Sequence, residues 1–171
     1  IDAASLALGS TALIGSSNQG AAATDVVNIT TTGDIAIAGE LSLGAGSSSL
    51  TSTAGNVTLS DSSKVTAQHL SVSASTVNSV QAGAQVATSG NLTLLGEAVS
   101  TQAPLSVRGN LTVGSSTTNT VNLGSSGTDT LLSVGGNFQV EGATINVFSD
   151  AAVTGTTNLG GSSTTSAITV N

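Results

Sequence analysis

A chain of 171 residues with 6% charged and 1% aromatic residues, no cysteine and a net charge of −7 is long enough for one domain with a core, but that core is not built from rings or braced by disulfides. Its two basic residues, Lys64 and Arg108, are too few for a phosphate-neutralising patch, so nucleic acids and anionic lipid surfaces are disfavoured as partners. Hydrophobicity is ordinary while charge density is low, unlike a disordered composition, and no apolar run approaches the roughly eighteen residues that span a bilayer.

In chain order, the opening IDAASLALGS lacks the charged and long apolar regions of a signal peptide. The chain is therefore expected to be already processed or cut from something larger, with residues 1–26 forming less regular first turns. From residue 33 a phrase recurs, Gly-Asn or Gly-Asp followed by aliphatic, any residue, aliphatic. It is Gly33-Asp34-Ile35-Ala36-Ile37, then Gly55-Asn56-Val57-Thr58-Leu59, Gly90-Asn91-Leu92-Thr93-Leu94, Gly109-Asn110-Leu111-Thr112-Val113 and Gly136-Asn137-Phe138-Gln139-Val140. Its spacings of 22, 35, 19 and 27 suggest a unit near twenty residues, with 35 taken as two units and 27 as one carrying polar inserts.

Between phrases lie further short alternations, such as Leu41/Leu43 and Leu105/Val107, with Gly, Asn and Ser between them. Period-two alternation over three to five residues signals strands, and no stretch carries a helical period. Three short strands per turn, repeated without helices, predict an all-β chain: one right-handed parallel β-helix, or β-solenoid, of about eight turns over residues 1–171. Phase is blurred at 9–26 and 66–88. In such a coil each strand pairs with its equivalents in the turns below and above, about 4.8 Å away, and like residues stack. Ile35, Val57, Leu92, Leu111 and Phe138 are expected as one inward stack, and Ile37, Leu59, Leu94, Val113 and Val140 as another. Thr58, Thr93 and Thr112 face outward, where β-branched residues suit the pleat. The phrase glycines are expected to supply positive φ at corners, and Asp34, Asn56, Asn91, Asn110 and Asn137 to form an amide ladder.

These stacked G-N-L-T-L and G-N-L-T-V phrases, over roughly residues 27–171, resemble the repeat regions of filamentous-haemagglutinin-like exoproteins and related autotransporter passenger domains. The resemblance implies a secreted β-helical shaft on a bacterial surface that serves as adhesin, delivery stalk or matrix component. The family's Asn-Pro-Asn-type secretion motifs and carboxy-terminal membrane barrel are missing from this sequence, which fits a shaft segment or a stand-alone relative.

Chemistry-bearing residues are sparse. His69, the single histidine, stands before a strand with no HExxH spacing and no cysteine, and is expected as a solvent-facing corner residue. A Ser-His-Asp triad would need this same residue, and no G-x-S-x-G elbow accompanies it. The nine carboxylates, Asp2, Asp25, Asp34, Glu40, Asp61, Glu97, Asp129, Glu141 and Asp150, are scattered about one per turn, with nothing marking a paired acid and base. Lys64 is expected to form an exposed pair with Asp61. No catalytic, metal or cofactor site is expected. Outward Thr suggests an ice-binding array, but the second Thr rank is missing. Sequons at Asn28, Asn56, Asn91 and Asn110 would admit glycosylation, although three of them are the repeat phrase itself.

Neither end shows an amphipathic cap, so self-association end to end, or continuation of a longer chain, is expected. The function so indicated is structural or adhesive and extracellular, with a host or matrix surface as ligand. The alternative is a carbohydrate-active or carbohydrate-binding β-helix module.

Overall fold

The computed structural model describes residues 1–15, 26–126, 130–160 and 167–170. Among these there are strands and turns but no helix. The first turn of the coil is β1 (Asp2–Ala3), β2 (Leu6–Leu8) and β3 (Leu13–Gly15), the second β4 (Asn28–Thr31), β5 (Ile35–Ile37) and β6 (Glu40–Ser42). The third is β7 (Ser47–Ser52), β8 (Val57–Leu59) and β9 (Lys64–Ala67), and the fourth β10 (His69–Ala74), β11 (Val77–Val80) and β12 (Gln85–Thr88). The fifth is β13 (Leu92–Leu95), β14 (Ala98–Thr101) and β15 (Leu105–Val107), and the sixth β16 (Leu111–Gly114), β17 (Thr120–Leu123) and β18 (Leu131–Val134). The seventh is β19 (Phe138–Glu141), β20 (Thr144–Val147) and β21 (Asp150–Val153), followed by β22 (Thr157–Leu159) and β23 (Ala167–Val170).

Every third strand pairs in parallel, giving one sheet of eight strands from β1 to β22, a second of eight from β2 to β23, and a third of seven from β3 to β21. We call these the first, second and third sheets. Among the described residues the fold is a three-sheet parallel β-solenoid of seven full turns and two strands of another, slightly fewer than the eight turns expected. Register steps run from 19 residues (Leu92 to Leu111) to 29 (Leu6 to Ile35), so length variation is absorbed at corners and the strands stay aligned.

Strand alternation decides which residues fill the bore. In the first sheet Ile29, Leu50, Val72, Leu94, Val113 and Val140 lie in successive register, and all are fully buried. The second sheet contributes Ile35 and Val57 in one column and Ile37, Leu59 and Val80 in the next. The third contributes Leu41, Val65, Val86, Leu105 and Leu132. Such columns, aliphatic and no wider than one side chain per strand, still admit one ring: Phe138 is buried above Leu111.

The expected stacks therefore divide. Ile35, Val57, Leu92, Leu111 and Phe138 all point inward, but Ile35 and Val57 belong to the second sheet while Leu92, Leu111 and Phe138 belong to the first. The same split separates Ile37 and Leu59 from Leu94, Val113 and Val140. The cause is the 35-residue interval: the register step from Val57 is 21 residues, to Asn78, so 35 residues is one turn and two sides, not two turns. The phrase changes sheet between its second and third copies.

Residues 77–80 show how register overrides local alternation. Val77 is 41% exposed, whereas Asn78 is fully buried between Val57 and Val99. Its Nδ2 donates to the carbonyls of Val72 (2.9 Å) and Leu95 (3.2 Å), closing the corner from the first sheet to the second. Among the described residues Asn78 Oδ1 and the buried Thr101 hydroxyl have no hydrogen-bond partner.

Truncating a column residue leaves a cavity between two fixed neighbours. Leu111→Ala is expected to cost about 2–5 kcal/mol, while Ser106→Ala on the outer face of the third sheet stays within about 0.5 kcal/mol. Denaturant unfolding of both variants checks this; equal small losses would contradict a packed bore.

Candidate functional site

The phrase residues assemble into two hydrogen-bonded ladders, each at a different corner. At the corner entering the second sheet, Asp34 Oδ1 accepts the backbone N–H of Asn56 (2.8 Å), and Asn56 Oδ1 accepts the N–H of Val77 (3.1 Å) and the Thr76 hydroxyl (2.6 Å). At the corner entering the first sheet, Asn91 Oδ1 accepts the N–H of Asn110 (2.9 Å), Asn110 Oδ1 that of Asn137 (2.8 Å), and Asn137 Oδ1 both the N–H (3.0 Å) and hydroxyl (3.1 Å) of Thr156. The expected single amide ladder is thus two ladders, and their bonds run from a side-chain oxygen to the main chain of the next turn. An amide-to-amide contact does occur elsewhere, on the outer face of the second sheet, where Asn146 Nδ2 donates to Asn122 Oδ1 at 2.8 Å.

The ladders explain the glycines in a way that backbone conformation does not. Positive φ occurs at Gly114, Gly124 and Gly160 and at no phrase glycine, so the expectation of left-handed corners is corrected. What the phrase requires is space. To reach the next turn's N–H, the Asn carbonyl folds beneath the residue before it. A Cβ at Gly55 would lie 2.6 Å from Asp34 Oδ1, at Gly109 2.5 Å from Asn91 Oδ1, and at Gly136 2.5 Å from Asn110 Oδ1. Gly155 meets Asn137 Oδ1 in the same way. The pair Gly-Asn thus works between turns: Asp34, Asn91, Asn110 and Asn137 each have a Gly above them, while above Asn56 the place is taken by Thr76, whose hydroxyl donates to Asn56 Oδ1.

His69 joins the second ladder. Half-buried, it lies one turn below Asn91, and its Nδ1 accepts the Asn91 N–H at 3.0 Å. A Cβ on Gly90 would stand 2.6 Å from that nitrogen. The expected solvent-facing residue is a rung, one that sequence reasoning missed, although Gly90 two positions before Leu92 carried the signal.

Glu40, Asp61 and Glu97, like Asp34, engage the turn beside them. Lys64 Nζ lies 3.3 Å from Glu40 Oε1, both side chains about half exposed, so its partner is Glu40 and not Asp61. Register puts Lys64 directly above Glu40. Asp61 instead accepts the N–H of Gly83 (3.1 Å), and Glu97 accepts from Asn119 Nδ2 (2.9 Å). Asp25 and Asp129 lie outside the described residues. Among the described residues no three His, Cys, Asp or Glu side chains come together as a metal would need.

A shallow groove of about 460 Å³ runs over the third sheet, between the turn at Ala82–Ala84 and Pro104, floored by Thr66, Ala87 and Ser106 with Lys64 and Gln85 at its rim. The sequons differ in their surroundings. Asn28 is exposed on the first sheet and accepts from the Ser49 hydroxyl (2.8 Å), whereas Asn56, Asn91 and Asn110 are ladder rungs. The ladders use Oδ1, so an unmodified Nδ2 is not what they depend on. On the outer face of the first sheet, hydroxyls at Ser49/Thr51 and Ser71/Ser73 give way to Thr93/Leu95 and Thr112/Gly114, and the second rank ends.

No family model, no curated protein and no solved structure matches this chain.

The two features of the phrase separate in variants. Gly109→Ala, allowed by its backbone but colliding with Asn91, is expected to cost about 1–3 kcal/mol, and Gly9→Ala, with open space around it, within about 0.5 kcal/mol. Asn110→Ala, which leaves the Asn137 N–H to water, is expected to cost about 1 kcal/mol. Thermal or urea unfolding checks all three; a harmless Gly109→Ala would contradict the steric account.

Proposed function

We propose that this chain is a shaft: an extracellular structural or adhesive β-solenoid of a bacterial surface, lengthened by stacking further turns on its open sheet edges. The observation that carries the stacking is the last described turns, where the inward columns come out into solvent. Ala151 continues the column of Leu132 and is exposed, as is Thr157 above Phe138, while Val153 and Leu159 are half-buried above Val134 and Val140. Strands β21, β22 and β23 each have a neighbour on one side only among the described residues. A parallel sheet whose last described strand has a neighbour on one side only can take another strand layer there.

The surface localisation rests on the repeat style and the cysteine-free, low-charge composition. It is supported by a construction in which the repeated phrase serves the coil and not a reacting centre. The carbohydrate-active alternative calls for two carboxylates converging beside Lys64 or Arg108; Lys64 has Glu40 beside it.

Sedimentation velocity and negative-stain electron microscopy over rising protein concentration test the stacking. Rods whose lengths are multiples of one solenoid are expected, and a permanent short monomer overturns end-to-end assembly. Binding of the purified chain to bacterial or host surfaces, compared with a variant unable to stack, separates adhesive from purely structural use.

A further inference from the structure

We propose that His69 makes the fourth turn a proton-operated joint, uncoupling it from the fifth on acidification. The other acceptors of its ladder, Asn91, Asn110 and Asn137, are amide oxygens with no proton to gain near neutrality. His69 Nδ1 accepts the Asn91 N–H at 3.0 Å, which requires a neutral ring with its hydrogen on Nε2. Protonation places a second donor on Nδ1, aimed at the Asn91 N–H, and the bond becomes a donor-donor contact. Gly90 leaves this place to the ring, since a Cβ there would stand 2.6 Å from Nδ1.

Among the described residues no other ionisable group lies on the elements packed against this ring. Strands β7 (Ser47–Ser52), β10 itself and β13 (Leu92–Leu95), the Gly44–Gly46 corner below and the Gly90–Asn91 corner above carry neither acid nor base. Lys64, on β9, is paired with Glu40, and Arg108 follows β15, two turns up the same corner. The corner as folded takes the neutral ring, and a protonated ring cannot accept the Asn91 N–H.

The position of the joint gives it consequence. The Asp34–Asn56 ladder ends in the fourth turn at Thr76 and Val77, and the second ladder begins in the same turn at His69, on another corner. Beneath His69 the main-chain bond to Gly46 is long, at 3.4 Å. Acidification therefore loosens the coil where neither ladder of amide oxygens spans it.

Amide hydrogen exchange of the intact chain, expressed as protection factors at pH 8 and pH 5.5, tests the joint. The Asn91 N–H is expected to lose protection about tenfold relative to the Asn110 N–H, the scale of one lost hydrogen bond. In His69→Asn, which keeps an acceptor that does not titrate, the loss is expected to fall below about twofold. Equal behaviour of the two amides in the natural chain, or an undiminished loss in His69→Asn, overturns the proposal. Should that variant not fold, the ¹⁵N shifts of the natural imidazole decide: Nε2–H at pH 8, titrating together with the Asn91 amide proton, supports the joint, and independent titration overturns it.

Discussion

One hydrogen bond recurs along two edges of this molecule, from a short polar side chain in one turn to the main-chain N–H that begins a strand in the next. It sits where a solenoid is weakest, at corners, where the backbone bends out of the ladder geometry that satisfies it within the sheets. Each such bond also fixes register, since the donor is a particular residue and not any member of a strand. With the corner pinned, period-two alternation sends Leu92, Leu111 and Phe138 into one column and Thr93, Thr112 and Gln139 outward. The core follows from the corner, and the variable inserts between strands are free to differ.

That division of labour accounts for composition as much as for shape. A bore lined by aliphatic columns from three sheets takes Leu, Val and Ile; a phrase whose carbonyl tucks beneath its neighbour takes Gly. Hydroxyl side chains complete the corners from inside: Ser52 donates to the Gly33 carbonyl and accepts from the Gly55 N–H, and Thr118 donates to the Gly96 carbonyl while accepting from the Ser115 N–H. A share of Ser and Thr near a third of the chain is thus partly structural, since a hydroxyl both donates and accepts within one bend.

Much of the fold was legible because its signal is local and repeated. Alternation at Ile35/Ile37, Val57/Leu59 and Leu105/Val107 identifies strands, and the absence of a helical period identifies the class. What was illegible is phase, the question of which side of the coil a strand occupies. A 35-residue interval looks alike as two short turns or as one turn and two sides, and the difference moves Leu92 from the second sheet to the first. Asn78 shows the same limit at one residue, for Val77 and Val80 flank it as plausible core and only the register with Val57 and Val99 turns the amide inward. His69 was hidden for another reason: a rung is defined by its acceptor atom and its place below a glycine, and residue type alone does not reveal either.

The ladders also have a sense of direction. In every rung from Asp34 to Val77 and from His69 to Thr156 the earlier turn supplies the acceptor and the later turn the N–H. A rod made this way is polar in the manner of a screw thread, with unlike faces at its two ends. Copies meeting like end to like end would reverse this direction at the join, whereas copies laid in file keep it. Contacts of that kind are heterologous and do not close on themselves, so an assembly built by this thread would have no natural stopping length, and whatever limits it must come from outside the repeat.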